Sequence, residues 1–291
     1  MTESGSFVLD AAALRLRSDT NIDPLLTVQY NSVRAIVRDV VRLYCRHFRT
    51  FVAIYLLPVV PLTMGAFLLT KALLTNSAFD VARTTAAIQW VAVVLGFFAS
   101  TFAFAAVAVA MSDVCSGNRP GIRRSYRRIF GRRFGVVIAN TILFYLSILF
   151  ILIVSVAAQN LWVFFPGLIV ALVVLVRYMF VPVISAIEPR PGVARAFRRS
   201  AWLGLGYRSR AFATLLCIGD AGAVVAWLSY LAATYFLAPT GAMLDAIRAL
   251  VEILVGLLVF PPLYIAAVLQ YYDLRARKEG FRLTELPEDI V

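Results

Sequence analysis

The sequence predicts an all-α, polytopic membrane protein with six transmembrane helices, and three observations carry that reading. First, 61% of the 291 residues are hydrophobic and only 15% charged, with a mean hydropathy of +0.83. A soluble domain carries about 45–50% apolar and about 25% charged residues, so the excess apolar surface needs lipid as its solvent. Second, uncharged runs cover Thr50–Thr70, Thr84–Ser112, Phe134–Val176, Ala221–Leu244 and Ile253–Tyr272. Each is long enough for the ~20 residues that cross a ~30 Å hydrocarbon core. Third, the arginines and lysines cluster in alternate gaps between these runs.

Taken in order, residues 1–22 show no period and read as a loose cytoplasmic tail. Residues 23–273 form the six-span domain, and 274–291 a cytoplasmic C-terminal tail. The spans are placed near 51–73, 86–111, 136–157, 162–184, 211–236 and 247–270. The third and fourth come from one uncharged run of 43 residues, too long for a single span. Gln159 and Asn160, followed by Trp162 and Pro166, mark a polar turn near its middle.

Basic residues set the orientation. Seven precede the first span, seven lie between spans two and three, six between four and five, and four after the sixth. That places 24 of the 28 on one side; Lys71, Arg83 and Arg248 are on the other, and Arg177 lies within span four. The positive-inside rule makes the crowded side cytoplasmic and puts both termini there. The first 50 residues are polar and arginine-rich with no apolar stretch near Met1, so span one is expected to act as its own insertion signal.

The cytoplasmic segments repeat. Arg119–Arg128 and Arg190–Arg199 share six of ten residues, with Ile122/Val193 and Tyr126/Phe197 as conservative replacements. The offset of 71 residues is about one short helix plus two spans, and proline suits a first helical turn. A third, diverged copy follows Asn31-Ser32, where Val33, Ile36, Val37, Val40, Val41, Tyr44, Cys45 and Phe48 make an amphipathic stripe. The expected architecture is three repeats of a basic amphipathic interfacial helix plus a transmembrane hairpin. The headgroup-facing residues would be Arg34, Arg38 and Arg42 in the first helix, Arg123, Arg124, Arg127 and Arg128 in the second, and Arg195, Arg198 and Arg199 in the third. They would lie on the phosphates of anionic lipids. The plainer role for these helices is to turn the chain and fix topology. Nucleic acid is excluded as a partner, because no aromatic platform alternates with the basic residues.

The C-terminal run Tyr271–Phe281 resembles the closing motif of the membrane domain that precedes the catalytic domain in some bacterial glycerophosphodiester phosphodiesterases, and that also occurs alone. Val181-Pro182-Val183, Glu188 and Ala196–Ser200 resemble another segment of it. The resemblance covers about 177–210 and 260–283 and implies a six-span membrane domain. A catalytic barrel would need ~250 further residues, so the hydrolase activity is not expected here.

No reactive constellation stands out. HExxH, GxSxG and GxxxxGK[ST] are missing, His47 is the one histidine, and Cys45, Cys115 and Cys217 show no ligand spacing. Neither cofactor nor metal is expected. Asp113, Glu188 and Asp273 close spans beside arginines and read as interfacial charge balance, and the Leu203–Gly206 glycine pair reads as a helix end. Two charges lie deeper. Asp220 is ten residues past Arg210, about 15 Å along a helix, and Arg177 seven residues before Ile184, about 10 Å. Side chains lean toward a helix N-terminus, so in antiparallel spans these two tilt toward each other. They are expected to form an intramembrane ion pair, or a solute, proton or headgroup site, or else to be two unrelated charges. The function expected is therefore a non-enzymatic membrane protein that engages lipid or a membrane-protein partner through its basic helices. The alternative is a small transporter or channel using Arg177 and Asp220, with Pro58, Pro61, Pro182, Pro261 and Pro262 as kinks lining a path.

Overall fold

The computed structural model describes residues 32–74, 81–130, 134–140, 142–143, 146–147, 161–188, 192–236 and 242–280. Helices α1 (Val33–Arg46), α2 (Phe48–Leu74), α3 (Val81–Cys115) and α4 (Ile122–Ile129) come first. Residues 134–140 are helical. Then follow α5 (Leu161–Tyr178), α6 (Val181–Ile187), α7 (Val193–Leu203), α8 (Arg208–Phe236) and α9 (Ala242–Glu279). No strand occurs among the described residues, and the fold is mostly helical. The expected tail over 1–22, most of the third span and the turn at Gln159-Asn160 lie outside the described residues.

Among the described residues, three helical segments are long and apolar enough to cross a membrane: Phe98–Cys115, Trp162–Ile187 and Ile253–Glu279, with Phe48–Leu62 a shorter apolar stretch. The hairpins α2–α3 and α8–α9 pack along their lengths. Burial is concentrated toward one end of the bundle. Ala103–Cys115 of α3, all of α6 and Tyr264–Leu274 of α9 are almost wholly buried, and these three segments pack against one another. The opposite half is studded with exposed apolar side chains: Leu57 and Met64 of α2, Trp162, Phe165 and Ile169 of α5, Val224 and Trp227 of α8, Leu254 and Leu258 of α9. That is the surface a hydrocarbon solvent accepts.

The short basic helices rim the buried end. Helix α4 packs on α3, α7 on α6, and α1 on α9. Each buries one stripe at helical spacing: Ile36, Val40, Leu43 and Tyr44 in α1, Ser125, Tyr126 and Ile129 in α4, Ala196, Ser200 and Leu203 in α7. Ser32 caps α1, accepting the Ala35 N–H at 3.2 Å. Leu203 ends α7 at Gly204, and Gly206 takes φ +86°, a left-handed turn that suits glycine.

One expectation is corrected. Pro120 lies outside the first turn of its helix: Gly121 is the N-cap and α4 starts at Ile122. Helix α9 continues past Asp273 to Glu279. Ion pairs one turn apart, Asp273 with Arg277 at 3.0 Å and Arg275 with Glu279 at 2.9 Å, favour that extension.

Candidate functional site

The buried end is held by two kinds of polar contact, each arising from a local need of the chain. One need comes from proline. A helical carbonyl normally accepts the N–H four residues on, and proline has none to give. Pro58 thereby deprives the Ile54 carbonyl of its donor, and Pro261 deprives that of Leu257. The Tyr126 hydroxyl of α4 donates to Ile54 O at 2.6 Å, and the Tyr44 hydroxyl of α1 donates to Leu257 O at 2.8 Å. The third basic helix also bonds main chain of a neighbouring segment, at the break between α5 and α6. There the Ser200 hydroxyl accepts the Phe180 N–H and donates to the Arg177 carbonyl, both at 3.3 Å. Burial pushes the Tyr44 phenol up to about 12, with Cys45 adding to the rise, and raises Tyr126 further, so both remain donors at neutral pH.

The other need comes from charge. Asp113, at the end of α3, is buried and accepts from Arg128 at 2.6 Å, with Arg124 at 4.0 Å. Glu188, just past α6, receives Arg199 and the Tyr271 hydroxyl, the latter at 2.9 Å. Arg199 also meets Glu279 at 2.9 Å. Burial alone would lower the Arg199 guanidinium, but the hydrogen bonds and charges of Glu188 and Glu279 outweigh it and hold it above the ordinary arginine value. Asp273 takes Arg277 at 3.0 Å and Arg210 at 3.6 Å. The expected charge balance at Asp113, Glu188 and Asp273 is therefore what the side chains form. Interhelical hydrogen bonds add to it: Tyr272 to Ser112 at 2.9 Å, and Asn140 to Ser185 at 2.7 Å.

The ten arginines expected to face headgroups divide into two groups. Arg128 and Arg199 turn inward to Asp113 and Glu188, and Arg124 is half-buried beside Asp113. Arg34, Arg38, Arg42, Arg123, Arg127, Arg195 and Arg198 are exposed. Arg38 and Arg42 flank the buried Asp39 at 3.5 and 3.7 Å while keeping side chains 66% and 44% exposed. The inward pair occupies equivalent places in the two Arg-Pro-Gly segments, two residues after Tyr126 and Phe197.

Arg177 and Asp220 do not form the expected ion pair, and both are exposed. Depth along a helix does not by itself fix a partner; rotation about each helix axis decides which neighbour a side chain meets. Arg177 lies 5.5 Å from the centre of the Tyr178 ring, and Asp220 sits beside the exposed Leu216 and Val224.

The residues that sequence reasoning missed are Tyr44, Tyr126, Ser200 and Tyr271. A partial signal existed: counting four back from Pro58 and Pro261 names the carbonyls in need of a donor, though not the hydroxyl that arrives.

The long apolar helices, with their exposed apolar half and charged, tightly packed end, define an α-helical membrane protein. No family model, curated protein or solved structure matches the chain.

Proposed function

We propose that the chain is a non-enzymatic six-span membrane domain of the bacterial inner membrane, of the kind its 177–210 and 260–283 segments resemble. Its basic helices engage anionic lipid at the cytoplasmic face. In this reading three units, each a basic helix with a membrane hairpin, close into a ring: α4 lies on the last span of unit one, α7 on that of unit two, and α1 on that of unit three. Both termini are cytoplasmic.

The observation that carries the proposal is the division of the arginines. A helix serving only as a joint needs the inward ones, Arg128 and Arg199, which are neutralised by Asp113 and Glu188. Arg123, Arg127 and Arg198 do no such work; they are exposed at the rim of the buried end. Each arginine near an anionic surface contributes about 1 kcal/mol of attraction. The Tyr126 and Tyr44 bonds satisfy the carbonyls at Pro58 and Pro261, which favours prolines that pack over prolines that line a solute path.

The test is lipid retention. Protein purified in mild detergent is titrated with phosphatidylglycerol or phosphatidylcholine and weighed intact by native mass spectrometry. Wild type should keep the anionic lipid preferentially, and Arg123→Gln/Arg127→Gln/Arg198→Gln should lose that preference while remaining folded. Equal retention of both lipids by the wild type, or an unchanged preference in the triple variant, refutes the proposal.

A further inference from the structure

Where α1 closes on α8 and α9, the packing differs from the other two rim contacts. On α9, Gln270, Asp273, Leu274 and Arg277 recur at i, i+3, i+4 and i+7, so they share one face. Tyr207, Arg210 and Ala211 at the start of α8 have the matching spacing, and Ile36 of α1 covers the junction. Ile36, Tyr207, Arg210, Ala211, Gln270, Asp273 and Leu274 together line a cavity of about 10 Å³. Gln270 is 2% exposed, and its amide oxygen and nitrogen are both buried with no hydrogen-bond partner among the described residues. A buried amide left unsatisfied at both atoms is costly and calls for an explanation.

We propose that this cavity is a binding site for a single water molecule that bridges the Gln270 amide and the Asp273 carboxylate beneath Ile36. The wall chemistry selects the occupant. The Arg210 guanidinium disfavours a cation, and the Asp273 carboxylate, 3.6 Å from it, disfavours an anion. The volume is near the minimum that a water requires. What remains is a neutral group that both donates and accepts, as water does. It donates to Asp273 and to the Gln270 oxygen, or accepts from the Gln270 nitrogen. The bound solvent molecule adds to the direct Arg210–Asp273 ion pair that already joins α8 to α9 at this junction. The inference stands on the cavity and on Gln270, independently of lipid binding.

Radiolytic hydroxyl-radical footprinting of the full chain in lipid nanodiscs tests it, since radicals formed at a bound water oxidise the buried side chains that touch it. Ile36 and Leu274 should be oxidised several-fold faster than Leu43 and Leu269, which are equally buried but do not line the cavity. The excess should collapse in Gln270→Leu, or in Gln270→Met if the leucine variant does not fold. Equal rates in the wild type overturn the proposal, as does an excess that persists in the folded variant.

Discussion

The Tyr126 hydroxyl donates to the Ile54 carbonyl across 2.6 Å, and that carbonyl is the one whose helical donor Pro58 removed. A basic helix at the rim thus completes the backbone of a helix in the bundle. Tyr126→Phe should destabilise the protein by about 1 kcal/mol, the usual net value of one such bond. Pro58→Ala restores an N–H to the Ile54 carbonyl, so in that background Tyr126→Phe should cost clearly less. Thermal unfolding of the four proteins in detergent measures the coupling. Identical costs in both backgrounds would show that the hydroxyl does not act through the proline.

Tyr44 makes the corresponding bond to Leu257, and its phenol is raised from 10 to about 12. The folded state holds this proton more tightly than the unfolded state. The contribution is therefore complete below pH 10 and is lost as pH rises through about 12. Subtracting the pH–stability profile of Tyr44→Phe from that of the wild type should leave a decline confined to that window. A flat difference would contradict the assignment.

Inward and outward arginines should separate experimentally. Arg128→Gln leaves the buried Asp113 with only Arg124 at 4.0 Å, and Arg199→Gln removes the shared partner of Glu188 and Glu279. Each should cost about 2–3 kcal/mol, below the 3–5 of a fully buried pair because other partners remain. Arg127→Gln and Arg198→Gln, at exposed positions, should change stability by less than about 0.5 kcal/mol. Denaturation midpoints that rank the four alike would dissolve the distinction.

Close packing of α8 on α9 predicts a fourth effect. A Cβ built on Gly222 would fall 2.3 Å from a Val259 methyl and 2.9 Å from its Cβ. Gly222→Ala should destabilise by about 1–3 kcal/mol, the usual range for overpacking. Adding Val259→Ala should recover only part of this, because the Val259 Cβ stays. Detergent melting curves report both. A neutral Gly222→Ala would mean that the two helices separate at little cost.

Arg177 and Asp220 should behave independently. With no ion pair between them, Arg177→Gln and Asp220→Asn should have additive effects on unfolding, within the about 0.3–0.5 kcal/mol expected of unconnected sites. A double variant more stable than the sum of the two singles would restore a direct interaction.

Much of this protein is legible from its residues alone. Lipid solvation, the mostly helical structure and the buried stripes of the three basic helices follow from composition and period, since these depend on neighbours one or two turns away. The pairing of Asp113, Glu188 and Asp273 with arginine was readable for the same reason, as all three stand beside arginine-rich segments in the chain. Tertiary structure alone decided the rest. Which arginine turns inward depends on how α4 and α7 are rotated against α3 and α6. Gln270 meets its cavity only because Ile36, far away in sequence, closes over it. Arg177 and Asp220 miss each other because depth along a helix is encoded by counting residues, whereas azimuth is fixed by packing. Prolines told which carbonyls would lack a donor; the approach of Tyr126 and Tyr44 depended on where the whole bundle placed two distant hydroxyls.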